Sequence, residues 1–113
     1  MDVFWEVGGS RVSSASLSDS VEAHVVLGAS RAGVSDFVTV RVVKDIAWAS
    51  DILYVSKTLD FFILEGDTED LVISFSPDAR SGSSFRWYLV EIVFSDGSSW
   101  IMEQLSPPIL RIE

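Results

Sequence analysis

The stretch from Asp70 to Trp100 constrains this chain most, because it writes a strand, a loop, a second strand and a tight reversal in direct succession. In Leu71-Val72-Ile73-Ser74-Phe75, residues Leu71, Ile73 and Phe75 face one way and Ser74 the other, the period of a strand with one buried face. Pro77 stops that strand, and the Ser- and Gly-containing run from Asp78 to Ser84 is a loop. Phe85 to Phe94 is apolar on both parities apart from Arg86 and Glu91, which places it in the middle of a sheet. Asp96-Gly97 then closes a hairpin, since Gly accepts the positive φ that a tight reversal needs.

The flanking sequence extends the pattern. Val3 to Val7 is a short strand stopped by Gly8-Gly9-Ser10, Arg11 to Ala15 pairs onward as a second edge piece, and Leu17 to Ser20 has turn chemistry. Val21 to Ala29 is predicted as a strand with Val21, Ala23, Val25 and Leu27 inward and Glu22 and His24 outward. After a loop over Ser30 to Ser35, Asp36 to Asp45 sets Val38, Val40 and Val42 inward against Thr39, Arg41 and Lys44 in solvent. Ile46 to Asp51 fits neither period and is expected to be an irregular connection crossing from one sheet to the other. Tyr54 to Leu64 supplies one or two strands, with Leu59, Phe61 and Ile63 alternating against Thr58, Asp60 and Phe62, and Glu65 to Asp70 is a turn. Trp100 to Leu105 is the last strand, ended by Pro107-Pro108, and the apolar tail Ile109 to Ile112 is either a linker or a final edge strand. The whole predicts an all-β, antiparallel sandwich of about seven or eight short strands. No segment has a helical period and no repeat or composition break divides the chain, so residues 1–113 are read as a single domain.

Composition sets outer bounds. A chain of 113 residues, 48% of them hydrophobic, can bury one core without staples. Its net charge of −9 repels a phosphate backbone, which argues against nucleic acid and anionic membrane surfaces as partners. The absence of Cys removes disulfides, thiolate catalysis and Cys-based zinc or iron–sulfur sites. No apolar run approaches the ~20 residues that span a bilayer, and Met1-Asp2 opens no signal segment, so no membrane insertion is expected of this stretch.

In its layout the chain resembles the immunoglobulin-like modules of the CARDB type, with fibronectin type III as a more distant cousin. The residues that carry the resemblance are the strand pair Val21 to Leu27 and Phe37 to Val43, the turn Leu64-Glu65-Gly66-Asp67 before the Pro-ended strand Leu71 to Phe75, and the Tyr-centred strand Tyr88-Leu89-Val90-Glu91-Ile92 closing on an Asp-Gly hairpin. It covers roughly Val21 to Trp100. Two features depart from it: Arg86-Trp87 stands where a Gly usually precedes the Tyr, and Ile46 to Ser56 is longer and more aromatic than a simple crossover. The resemblance implies an immunoglobulin-like, non-enzymatic module within larger, often surface-exposed, prokaryotic proteins, and it carries over no catalytic residue.

The residues themselves offer little catalytic chemistry. His24 is the one imidazole, read as a surface histidine on the outward parity of its strand, and one His without Cys leaves too few nitrogen or sulfur ligands for zinc. Glu65, Asp67, Glu69 and Asp70 form the densest acidic cluster; oxygen ligands in a loop suit Ca²⁺, but the spacing is not that of an EF-hand and a solvated turn is the plainer reading. Glu91 reads as an outward residue paired with Arg86 or Arg41. No phosphate loop, Walker pattern or nucleophile elbow occurs, so neither enzyme activity nor a cofactor is expected.

The aromatic inventory is the remaining signal. Trp5, Trp48, Trp87 and Trp100 exceed the single tryptophan that a sandwich core needs, and exposed rings anchor protein interfaces or stack on sugars. Trp48, Tyr54 and Trp87 are therefore the candidate interaction surface: Trp48 for its irregular segment and Trp87 for its parity opposite Tyr88, Val90 and Ile92. The function read from the sequence is a structural or interaction module that contacts a protein partner or self-associates through a strand edge. A carbohydrate-binding module is the alternative, weakened by the absence of Asn and the single Gln104.

Overall fold

Strands with one apolar face can bury it only against another such face, so period-two patterning demands a second layer. The computed structural model describes residues 2–28, 34–97, 99–101 and 109–113. Its strands are β1 (Asp2–Val7), β2 (Ser10–Val12), β3 (Ser14–Ala15), β4 (Val21–Gly28), β5 (Val34–Ile46), β6 (Ile52–Ile63), β7 (Thr68–Phe75), β8 (Phe85–Phe94), β9 (Ser99–Ile101) and β10 (Arg111–Ile112). There is no helix among the described residues. The protein is all-β, with two four-stranded antiparallel sheets in the orders β2-β1-β4-β7 and β6-β5-β8-β9, and a short parallel pair of β3 with β10.

Turn chemistry sets the registers. Gly8 and Gly9, at φ 59° and 83°, reverse β1 into β2, while Gly66 at 82° and Gly97 at 89° open β7 and β9. From these turns follow the pairings Trp5 with Ala23, Ala23 with Ile73, and Val40 with both Lys57 and Ile92. Val21, Ala23, Val25, Leu71, Ile73 and Phe75 of the first sheet and Val38, Val40, Val42, Val90 and Ile92 of the second are all buried in one continuous core. Trp5 sits edge-on to Phe75, and Phe75's neighbour across the layers is Tyr88, whose ring centroid is 5.1 Å away, so aromatic contacts lock one sheet to the other.

Two expectations change and one open choice closes. Ile46 to Asp51 does not cross between sheets: β5 and β6 are antiparallel neighbours in one sheet, and the segment is the reversal between them. Residues 47–51 belong to no strand and so have no period of two to show, and register shifts at Val42/Val43 and at Asp45/Ile46 disturb the alternation just before them. Lys44 is not in solvent but shares the inward parity of Val42, passes over the rings of Tyr54 and Phe85, and ends on Asp78. The tail is not a linker. Leu110 exchanges two backbone hydrogen bonds with Tyr88, β10 pairs with β3, and Leu110 and Ile112 are fully buried. Of the expected last strand, Trp100 and Ile101 belong to β9; Met102 to Leu105, Pro107-Pro108 and most of the Ser30 to Ser35 loop lie outside the described residues.

Candidate functional site

The β5–β6 reversal brings one aromatic residue wholly into solvent. Trp48 has φ 64° and is fully exposed, at 103% of its reference area. An L-residue seldom takes that backbone conformation, and a Trp there gains nothing from burial. The hairpin beneath it is well held: Ala47 N–H donates to the Ser84 carbonyl at 2.8 Å, and β5 pairs on both sides, with β6 and β8. Ile52 and Leu53 beside the reversal are also exposed, and Ala47, Trp48, Ser83 and Arg86 line an open hollow.

Charges under the hairpin fix Arg86. Its guanidinium donates to Asp45 at 2.8 Å, and Asp45 is buried where the strand register shifts. Burial, then the charge and hydrogen bond of Asp45, push the carboxyl of Asp51 above the ordinary aspartate value. Arg86 also lies 5.1 Å from the ring centre of Trp87. Glu91 pairs with Arg41 at 3.1 Å, one of the two partners expected for it.

The three candidate residues thus fall into different settings. Trp48 is open. Trp87 is half-buried beneath Arg86, and its Nε1 is buried without a hydrogen-bond acceptor among the described residues. Tyr54 is half-buried on the core side; its hydroxyl donates to the Ser76 carbonyl at 2.5 Å and its ring meets Phe75 and Tyr88, so it braces the two sheets. Trp5 is the buried central indole, and the Trp100 side chain lies outside what is described.

The other sheet carries a second constellation that the sequence reading missed. On the face of β1, β4 and β7 away from the core, His24 is no free surface residue: it is 8% exposed, stacked flat on Phe4 at 4.9 Å. Its Nδ1 lies 2.8 Å from Asp70 Oδ2, and its Nε2 lies 2.9 Å from Glu6 Oε1 and 3.4 Å from Glu22 Oε1. Carboxylate oxygens only accept, so a ring that bonds them through both nitrogens carries both protons. Burial pulls the His24 pKa down, but the hydrogen bond and charge of Asp70, helped by Glu22 and Glu6, outweigh it and leave it above the ordinary histidine value. Asp70 thereby leaves the acidic turn in which the sequence placed it. The signal was hidden because three strands contribute the carboxylates, and only the registers that pair Glu6 with Glu22, and Val26 with Asp70, bring them to the imidazole. No family model, no curated protein and no solved structure matches the chain.

Proposed function

We propose that this chain is a non-catalytic, immunoglobulin-like β-sandwich module that works by contact with a protein partner, using the end of the β5–β6 hairpin. Two antiparallel sheets with the chain changing layer between β4 and β5, between β6 and β7, and again between β7 and β8 support the immunoglobulin-like reading, since such sandwiches are built on connections of this kind. The observation that carries the contact reading is Trp48. Its left-handed backbone costs on the order of 1 kcal/mol, and its exposed indole returns none of that in the isolated chain. A large flat ring held on a braced hairpin is the kind of anchor that dominates protein interfaces. The sugar-binding alternative draws less support, because Trp87 is half-buried under Arg86 and does not lie open beside Trp48 as a second stacking platform.

The test is a photo-crosslinking side chain at Ala49, with one at Ser18 on the β3–β4 turn as control, in an extract of the source cells. A defined protein captured from position 49 alone, displaced by unlabelled wild type but not by Trp48→Asn, is the expected result. Equal capture from both positions, or displacement by Trp48→Asn as effective as by wild type, overturns the reading. Quenching of tryptophan fluorescence by one member of a glycan panel, lost in Trp48→Asn, would put the carbohydrate alternative in its place.

A further inference from the structure

We propose that Glu6, Glu22 and the Nε2 of His24 form a binding site for a single Zn²⁺-type divalent transition-metal ion, with Asp70 positioning the imidazole. This site lies on the sheet opposite the β5–β6 hairpin and shares no residue with it. One ligand-type atom from each of the three residues lies within 4.8 Å of the others. In a tetrahedral zinc site with bonds near 2.0–2.1 Å, neighbouring ligand atoms stand roughly 3.3 Å apart. The separations of Nε2 from Glu6 and Glu22, 2.9 and 3.4 Å, therefore need only small side-chain movement to accept an ion.

Three further features belong to a metal site rather than to a chance cluster. Asp70 accepts from Nδ1–H at 2.8 Å, which leaves Nε2 as the nitrogen available to a metal; a carboxylate behind the histidine is the usual orienting partner of zinc ligands. Glu6 and Glu22 are direct cross-strand partners, a like-charge placement that one shared Nε2–H of His24 offsets with a single positive charge, where a divalent ion would supply two. A single imidazolium faces three carboxylates here, while the adjacent Arg11 is drawn off over the Phe4 ring and to Asp2 at 3.4 Å, so positive charge is in deficit. Access is asymmetric: the His24 side chain is 10% exposed and that of Glu22 is 44% exposed, so an ion enters past Glu22 onto a nitrogen held from behind. His24 is one nitrogen where the sequence suggested too few for zinc, but register adds the oxygens of Glu6 and Glu22, which zinc also takes. The nitrogen donor favours zinc, cobalt or nickel over calcium and magnesium, which prefer oxygen alone. Binding replaces the proton on Nε2 by the ion, and that proton leaves to solvent.

Isothermal titration of the full chain with Zn²⁺ near neutral pH, in buffers of different ionisation enthalpy, tests this together with NMR of the imidazole, whose signals are unambiguous because the chain has one histidine. The expected result is one saturable site, release of up to one proton per ion, and a shift of the His24 ring signals that saturates at the same stoichiometry. Glu22→Gln, which keeps the side chain's size, should weaken binding at least ten-fold, Asp70→Asn about ten- to a hundred-fold, and His24→Gln should abolish it, with the fold of each variant checked by circular dichroism. Absence of saturable binding to folded wild type overturns the proposal. So does binding of undiminished strength in Glu22→Gln, which would put the ion elsewhere, as on the acidic turn Glu65 to Glu69.

Discussion

An enclosed tyrosine must find partners for its hydroxyl, and Tyr88 finds both on one residue. It is fully buried, donates to Asp78 Oδ1 at 2.9 Å and accepts from the Asp78 N–H at 3.2 Å. Tyr88→Phe keeps the ring but removes both hydrogen bonds to Asp78, one of them to a carboxylate, so it should cost about 1–3 kcal/mol in urea unfolding. Asp78 in turn takes Lys44 at 2.6 Å. Burial raises its pKa, but the hydrogen bonds from Lys44 and Tyr88 outweigh that and hold it below the ordinary aspartate value. A depressed folded pKa means that the unfolded chain takes up the proton first as pH falls. The contribution is therefore whole above the ordinary aspartate pKa of about 4 and is lost below it, so the urea midpoint should drop from about pH 5 to about pH 3, and less steeply in Lys44→Met. Trp48→Asn has the opposite character. Asn tolerates left-handed backbone and no packing is lost, so this variant should be as stable as wild type or up to about 1 kcal/mol more stable, read by the same unfolding curves, while losing the proposed contact.

Among the elements, the short terminal one has an effect out of proportion to its length. β10 and the residues on either side of it reach β8 through Leu110 and Tyr88, β3 and the residue before it through the Ala15 and Ser13 carbonyls, and the 76–84 loop through Ser81. Leu110→Ala should thus behave as a core truncation costing about 2–5 kcal/mol, whereas a trailing linker would show no change in the unfolding midpoint. The sequence left that tail open between linker and strand, because Ile109 to Ile112 is too short to show a period and its partners lie far away in the chain. The inward faces of β4, β5 and β7 and the hairpins at Gly8-Gly9 and Asp96-Gly97 were legible, since alternation and turn residues act locally. Two register shifts at the end of β5 hid the reversal that follows it. The His24 constellation left no local trace either: its carboxylates stand at positions 6, 22 and 70, and register alone makes them neighbours.

At the scale of the molecule, charge sets two effects against each other. Seventeen Asp and Glu against eight Lys and Arg leave a net −9, so the folded chain repels itself over distances comparable with the Debye length. Salt screens that repulsion and should stabilise. It also screens the ion pairs, and most of these are at least partly open to water: Arg11 with Asp2, Arg41 with Glu91, Lys44 with Asp78. Such pairs are worth about 0–1 kcal/mol each, so screening takes little from them. The surplus of negative charge should therefore win, and the thermal midpoint of the metal-free protein should rise by a few degrees between about 20 mM and about 500 mM NaCl. A fall over that range would show that the local pairs outweigh the general repulsion.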